Sequence, residues 1–202
     1  MILVISVIAL ISLKISEIHR KYLMNNVSPY VYKITRILFT DIGGTGFLLT
    51  LNGKTHIITN KHVCDGVGLN GVVQVNSDVG IFWQRYKTDK KHDLCAIKAP
   101  AILGEGLKVG SKLFTGETIY MMGYPFLQPK RLVSGFYFLT EKVLVQKYLN
   151  SYRMHLSSFP GNSGSPILNI YGNVVGVLYA GSSSDALAVP LKDLLIFLKS
   201  LK

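Results

Sequence analysis

The stretch FPGNSGSPI, residues 159–167, is the most informative part of the sequence. Gly161 and Gly164 stand on either side of Ser163 and allow the backbone to turn tightly there. In such a turn the amides of Gly161 and Ser163 can point at one spot and stabilise the oxyanion of a tetrahedral intermediate. The stretch therefore predicts a nucleophilic serine with an oxyanion hole. An ordinary Gly/Ser turn between two strands is the alternative.

A nucleophilic serine needs a base, and His62 is the best candidate. It follows the β-prone run HIIT at residues 56–59, and the end of a strand can hold an imidazole in place. We expect His62 to take the proton of Ser163 and to return it to the leaving amine. The competing histidines are His56, His92 and His155.

The base in turn needs a carboxylate that fixes its tautomer, and Asp93 is the candidate. It precedes LCAI, residues 94–97, which has the composition of a buried strand. Asp89 is the rival, but it lies in a charged turn at residues 87–91, where we expect it to be solvated. Because the whole chain holds only 11 acidic residues, few other candidates exist.

The composition and spacing of the sequence predict an all-β protein. Of the 202 residues, 49% are hydrophobic and 16% charged, and 19 glycines help to separate many short Val/Ile/Phe/Tyr runs. We expect two six-stranded antiparallel barrels, at about residues 27–105 and 111–190, joined by a glycine-rich stretch between them. In the first barrel, the run IFWQRY at residues 81–86 is predicted to form one strand. Apolar residues at helical spacing after Pro190 predict a C-terminal helix over residues 191–201.

The two cysteines, Cys64 and Cys95, are too few for a disulfide framework and lack the spacing of a metal site. We therefore expect neither a metal nor a cofactor. Each cysteine follows a candidate catalytic residue by two positions, so the two could be neighbours in one barrel. A disulfide between them is one alternative, and two buried free thiols are the interpretation that we favour.

The charge balance is basic, with a formal net charge of +11. Such a surface can attract nucleic acid or anionic lipid. The basic residues are scattered, however, and form neither a dense run nor a stripe interleaved with aromatic residues. We therefore favour a solvated basic face and do not expect nucleic-acid binding.

Residues 1–13, MILVISVIALISL, form an apolar segment typical of a signal peptide or a membrane anchor. The segment is shorter than the ~20 residues that a spanning helix usually needs. We favour membrane attachment through residues 1–18, and a hydrophobic helix packed on its own domain is the alternative. We assign residues 1–26 to this N-terminal segment, and the stretch NNVSP at residues 25–29 is predicted to be a linker.

The location of the protein follows from the charges around this apolar segment. Lys14, Arg20 and Lys21 follow it, and no Lys or Arg precedes it. An inserted segment would therefore leave the rest of the chain on the cytoplasmic side. We expect a membrane-associated or secreted protein, with the cytoplasmic side as the orientation that the charges favour.

Several motifs in order resemble the trypsin-like serine peptidases. They are GGTGF at residues 43–47, TNKHV at 59–63, HDLCAI at 92–97, MGYP at 122–125 and GNSGSP at 161–166. Within that family they look most similar to the bacterial glutamyl endopeptidases, and next to the high-temperature-requirement proteases. The resemblance covers roughly residues 31–198. It implies the chymotrypsin fold and an endopeptidase that forms an acyl-enzyme on protein or peptide substrates. A catalytically silent two-barrel module that binds peptides or another partner is the alternative.

The resemblance also implies positions for substrate binding. Ser157 and Ser158, just before the serine motif, correspond to the floor of the specificity pocket, which suggests a small or uncharged pocket. The run VVGVLY at residues 174–179 resembles the strand that pairs with the substrate backbone, and it brings Leu178 and Tyr179 to the site.

Two departures from the family pattern limit what the resemblance implies. Leu178 stands where the glutamyl endopeptidases carry a histidine that binds an acidic side chain, so glutamate specificity is not expected. Substitution of that histidine by His155 or by the basic surface is the alternative. Asn162 stands where digestive relatives carry an aspartate that pairs with a newly freed N-terminus. Activation by such an ion pair is therefore not expected either.

Overall fold

β-strands dominate the computed structural model, which describes residues 2–36, 41–68, 71–74, 80–82, 85–143 and 149–201. The helices in these residues are α1 (Ile2–Val27), α2 (Lys61–Val67) and α3 (Leu191–Lys199). The strands of the first half are β1 (Val31–Arg36), β2 (Gly43–Leu51), β3 (Lys54–Asn60), β4 (Gly71–Gln74), β5 (Gly80–Phe82), β6 (Arg85–Asp89) and β7 (Leu94–Lys98). The strands of the second half are β8 (Thr118–Gly123), β9 (Arg131–Val143), β10 (Leu149–His155), β11 (Pro166–Leu168), β12 (Val174–Gly181) and β13 (Asp185–Pro190).

The second half closes into a six-stranded antiparallel barrel. The strand order around it is β10-β13-β12-β11-β8-β9. Its interior is filled by side chains from successive strands, among them the fully buried Ile119, Met154, Ile167 and Val175. This barrel confirms the prediction for the second half of the chain, and helix α3 confirms the predicted C-terminal helix.

The first half forms a seven-stranded antiparallel sheet in the order β5-β4-β1-β2-β3-β7-β6. The predicted number of six strands is wrong because residues 81–86 were expected to form one strand. In the structure, β5 pairs with β4, whereas β6 pairs with β7 at the other end of the sheet. Within the described residues the two end strands do not pair with each other. The architecture is consistent with the chymotrypsin fold, although closure of the first barrel is not observed.

The two halves share one hydrophobic core. It contains Phe47 and Ile58 from the first sheet, Met122 and Val177 from the barrel, and Phe197 from α3. The connecting stretch lies across both halves, because Leu107 bridges to Leu49 and Val109 bridges to Val174. The junction between the sheets is therefore a packed interface, on which a site can be held rigidly.

Helix α1 continues through residues that were predicted to form a linker. Leu23 and Val27, in its last two turns, are almost completely buried in the shared core. His19 Nε2 donates to the carbonyl of Ile170 (2.7 Å), and its Nδ1 accepts from the hydroxyl of Tyr120 (2.9 Å). The linker prediction is wrong because tertiary packing stabilises the last helical turn, which the local sequence alone does not favour.

Residues 10–18 of α1 are exposed. Its large apolar side chains with more than half of their surface exposed are Leu10, Ile11, Leu13, Ile15 and Ile18. Among the helices that the structure describes, none combines the length and the apolar character that crossing a membrane requires.

Candidate active site

His62 and Asp93 are brought together by the pairing of two strands. β3 and β7 run antiparallel with Asn60 opposite Leu94, so the residues just beyond this pair lie side by side. The His62 Nδ1 atom lies 2.6 Å from Asp93 Oδ2, and the His62 amide donates to Asp93 Oδ1 at 2.9 Å. Because a carboxylate can only accept, Nδ1 carries the proton. The other ring nitrogen, Nε2, is then left able to act as a base.

Asp93 is fixed from its backbone as well as from its side chain. Its side chain is 6% exposed, and its φ of 53° lies in the left-handed region, which aspartate tolerates better than most residues. Its carbonyl accepts from the Lys61 amide (3.0 Å) and from Asn60 Nδ2 (3.1 Å). Asn60, which the sequence did not single out, thus helps to hold the backbone of Asp93 in place.

The rival carboxylate, Asp89, belongs to a different cluster. It accepts from the amides of Lys91 and His92 and from His92 Nδ1, the last at 2.7 Å. Burial raises the pKa of Asp89, but the hydrogen bonds from His92 and the charge of that ring outweigh burial and lower it. The expectation of a solvated Asp89 is wrong. It pairs with His92, which also lies 3.8 Å from Asp193.

Cys64 and Cys95 form a disulfide, with their Cα atoms 6.6 Å apart. The expectation of two free thiols is therefore wrong. Cys95 lies on β7 opposite Thr59 of β3, and helix α2, which begins directly after β3, carries Cys64 to it. A covalent bond and a hydrogen-bonded pair thus tie the same two segments.

The loop that carries Ser163 is shaped by two glycines with positive φ, Gly161 at 91° and Gly164 at 87°. The Gly164 amide donates to the carbonyl of Leu178 (2.8 Å), which fixes the loop to β12. A methyl group built on Gly164 would lie 2.1 Å from the carbonyl oxygen of Thr45. Glycine is therefore required at this position both by conformation and by space.

The two halves of the molecule meet at Gly44 and Thr45. The Thr45 amide donates to the carbonyl of Ser163 at 2.8 Å, and its hydroxyl donates to the carbonyl of Gly161, also at 2.8 Å. A methyl group on Gly44 would lie 2.7 Å from a methyl carbon of Val63 and 2.8 Å from the Ser163 carbonyl oxygen. Val63, which follows His62, and the loop that carries Ser163 therefore approach each other across Gly44. The sequence contained this GGTGF motif, but its role as the contact between the halves was not predicted.

The predicted oxyanion-hole peptide, Pro160–Gly161, is held by the barrel. The Phe126 amide donates to the carbonyl of Pro160 at 2.5 Å. No cis peptide occurs among the described residues. In a planar trans unit the C=O and N–H bonds point in opposite directions, so the Gly161 N–H is directed away from Phe126. Phe126 was not predicted to take part in the site.

The four predicted substrate-binding residues lie beside the serine loop. The Ser157 hydroxyl donates to the carbonyl of Ser183 (2.6 Å), and the buried Ser158 donates its amide to Ser182 (2.7 Å).

Leu178 and Tyr179, the two predicted substrate-binding residues on β12, make different contacts. The side chain of Leu178 is buried in the barrel, and its backbone pairs with the serine loop. The hydroxyl of Tyr179 lies 2.7 Å from Ser151 Oγ. Burial raises the pKa of Tyr179, and the charges of Glu141 and Asp93 add to this rise, although the Ser151 hydrogen bond opposes it.

Asn162 lies between the two positions predicted to form the oxyanion hole. It is 1% exposed, and its Oδ1 atom has no hydrogen-bond partner in the part of the chain that the structure describes. A neutral amide at this buried position cannot form the ion pair that an aspartate would make.

The fold is an antiparallel β fold, and the site pairs a histidine with a buried carboxylate. Residues 44–177 match the model of the trypsin-like peptidase domain, and the chain belongs to that family. A probable periplasmic serine endoprotease, DegP-like, of Marinomonas sp. (strain MWYL1) is 30% identical over 137 residues, which are 66% of this chain and 29% of that protein. The chain spans between about a fifth and about a third of the length of the curated relatives that it matches.

Solved structures share the fold at low sequence identity. The active form of the Rv3671c protease from M. tuberculosis superimposes with a TM-score of 0.75 at 18% identity, over 89% of this chain and 83% of that chain. The HtrA-type protease AlgW with a decapeptide gives a TM-score of 0.74 at 18% identity, over 90% and 66% of the two chains. The predicted membership of the trypsin-like peptidases is confirmed, whereas the closer likeness to the glutamyl endopeptidases stays a prediction.

Proposed function

We propose that the chain is a serine endopeptidase in which Ser163, His62 and Asp93 form the catalytic triad. The observation that carries this proposal is the 2.6 Å contact between His62 Nδ1 and the buried carboxylate of Asp93. It leaves the opposite ring nitrogen as a base at the junction where Thr45 holds the serine loop. Membership of the trypsin-like peptidase domain family supports the same conclusion.

The mechanism follows from these contacts. Ser163 Oγ attacks the substrate carbonyl while His62 Nε2 takes its proton, and Asp93 stabilises the imidazolium that forms. The amides of Gly161 and Ser163 donate to the oxyanion of the tetrahedral intermediate. Collapse of the intermediate breaks the C–N bond as His62 protonates the leaving amine. The acyl-enzyme is then hydrolysed by a water that His62 activates.

We propose protein or peptide substrates with a small, uncharged side chain before the scissile bond. The segments that would line its pocket are in contact, because a methyl group on Gly181 would lie 2.6 Å from the Cβ atom of Ser158. This close approach favours a small side chain over a long basic one. The HtrA-type protease AlgW, whose fold is shared, was solved with a decapeptide, which is in line with an extended peptide substrate.

We propose an extracytoplasmic location for the domain. A disulfide between Cys64 and Cys95 is stable in oxidising compartments and is rarely kept in a reducing cytosol. The DegP-like relatives, which are named as periplasmic, agree with such a location. The cytoplasmic orientation that the flanking charges favour is therefore not part of this proposal. Attachment through residues 1–18 on the extracytoplasmic side is its second part, and the exposed apolar side chains from Leu10 to Ile18 support it.

Labelling with a fluorophosphonate probe tests the activity, and cleavage of a peptide library tests the specificity. The wild-type protein should label and cleave, and Ser163→Ala should do neither. A well-folded wild-type protein that does not react would instead support the catalytically silent peptide-binding module.

A further inference from the structure

The orientation of the Pro160–Gly161 peptide depends on one turn of the barrel. This turn, residues 124–127 between β8 and β9, donates the Phe126 amide to the Pro160 carbonyl. It also touches Gly161 closely, since a methyl group there would lie 2.3 Å from the Tyr124 carbonyl oxygen. A rotation of the peptide that turned the Gly161 N–H away from an oxyanion would have to break the Phe126 bond.

The base of the turn is fixed, because Pro125 is buried and the Tyr124 amide donates to Thr45 Oγ1 at 3.1 Å, whereas its tip at Phe126 is exposed. Phe126 and Leu127 both have positive φ, 52° and 56°, which costs conformational energy in non-glycine residues. The Phe126 ring is 59% exposed and contacts Phe159, which is 40% exposed. A cavity of about 330 Å³ separates the turn from Asn162 and Val133. The position of the turn therefore depends on its polar anchors.

Besides Thr45, the anchors come from the N-terminal helix and the residues that follow it. Lys130 Nζ donates to the carbonyl of Ser28 (2.5 Å) and to its hydroxyl oxygen (3.2 Å), and it lies 5.4 Å from the ring centre of Tyr124. The Tyr124 hydroxyl donates to the carbonyl of Val31 at 3.3 Å. Arg20 of α1 donates to the carbonyl of Leu132, just after the turn, at 2.9 Å. Burial lowers the pKa of Lys130 to about 8, which agrees with an ammonium group enclosed at this contact.

We propose that helix α1 and the Ser28–Tyr30 turn that follows it, acting through Lys130, form a positioning element that holds the oxyanion-hole peptide in its donating orientation. This inference rests on the proposed serine endopeptidase function. The contacts form one chain from Ser28 to Lys130, from Lys130 to the turn at residues 124–127, and from that turn to the Pro160 carbonyl. Displacement of α1 removes this part of the support, the Phe126 bond weakens, and transition-state stabilisation falls although the triad stays intact.

The test compares Lys130→Met with Lys130→Arg in the full chain, using a peptide substrate and a peptide boronate that mimics the tetrahedral intermediate. Loss of one oxyanion donor costs about 10²–10³ in kcat, so loosening its support should cost about 10–10². We expect this loss in kcat for Lys130→Met, an equal loss in affinity for the boronate and a KM within about two-fold of wild type. The Lys130→Arg variant should recover at least about half of kcat, because arginine keeps the charge and the donors.

Lys108→Met is the matched control, because Lys108 is an exposed lysine on the connecting stretch. It should leave kcat unchanged. If Lys130→Met does not fold, Arg20→Met tests the same anchor from the helix side and should lower kcat with KM unchanged. A wild-type kcat in the folded variant, or a fall in kcat without a fall in boronate affinity, would overturn the proposal. If the wild-type protein shows no Ser163-dependent hydrolysis, the proposed function itself fails. If the wild-type protein is active and only the Lys130 result differs, the proposal about α1 fails alone.

Discussion

Reduction of the Cys64–Cys95 disulfide should lower the stability of the protein while leaving the site functional at moderate temperature. The bond closes a loop with a sequence separation of 31 residues. Loop-closure entropy for this length is about 12 cal/mol/K, which corresponds to about 3.7 kcal/mol at 25 °C. A chain of 202 residues gains about 0.42 kcal/mol/K on unfolding, so Tm should fall by about 9 °C.

The site should survive reduction because hydrogen bonds hold the same two segments. The amides of Lys61 and His62 and the side chain of Asn60 all donate to Asp93, and none of these bonds involves sulfur. Below the unfolding transition, the rate of fluorophosphonate labelling should stay within about two-fold of the oxidised protein.

Thermal unfolding followed by circular dichroism, with and without dithiothreitol, measures the first effect, and labelling at 25 °C measures the second. The double variant Cys64→Ala/Cys95→Ala is the control and should not respond to the reductant. An unchanged Tm on reduction would refute the entropic reasoning. A loss of labelling by more than about tenfold in the folded, reduced protein would show that the backbone hydrogen bonds do not suffice to hold the site.

Three further predictions concern the site and the core. Asp93→Asn should lower kcat by about 10⁴ with little change in KM, measured by steady-state kinetics, because the amide favours the wrong histidine tautomer; a loss below about tenfold would contradict the assigned role. Gly164→Ala should lower the free energy of unfolding, measured by urea titration, by at least about 3 kcal/mol, because its methyl group would lie 2.1 Å from a backbone oxygen. Gly53→Ala is the control and should cost much less, because Gly53 also has positive φ but nothing lies within 4 Å of the added methyl group. Burial raises the pKa of Tyr32 and of Tyr124 to about 12, so both stabilise the folded state below the unfolded pKa of 10. Stability should then be lost as the pH rises from about 10 to about 12, and a Tyr32→Phe/Tyr124→Phe variant measured alongside should lose less over this range.

The parts of the site that sequence analysis located are those with local causes. The serine lies between glycines that a tight turn requires, and the histidine and the aspartate each lie at the end of a strand. The barrel of the second half was predicted because its strands follow one another with clear breaks. Residues 81–86 were predicted to form one strand, since nothing local shows that β5 and β6 pair at opposite ends of the sheet.

The features that were missed depend on contacts between distant residues. The disulfide follows from the pairing of β3 with β7, which cannot be read from the spacing of two cysteines. The end of α1 is stabilised by the burial of Leu23 and Val27, whereas its sequence there resembles a linker. Phe126 and Lys130 carry no motif at all, and only the structure shows that one contacts the Pro160 carbonyl and the other contacts Ser28.

Because the two halves meet at Gly44 and Thr45, the proposed catalysis depends on how closely the two halves approach each other. The proposed base and its aspartate lie on one half, and the proposed nucleophile lies on the other, so neither half is an enzyme by itself. A separation of a few tenths of an ångström at Thr45 would lengthen its 2.8 Å bond to Ser163 while each half remained folded. The rate of hydrolysis would then report on the distance between the two halves, and it would fall before a measurement of folding detected any change.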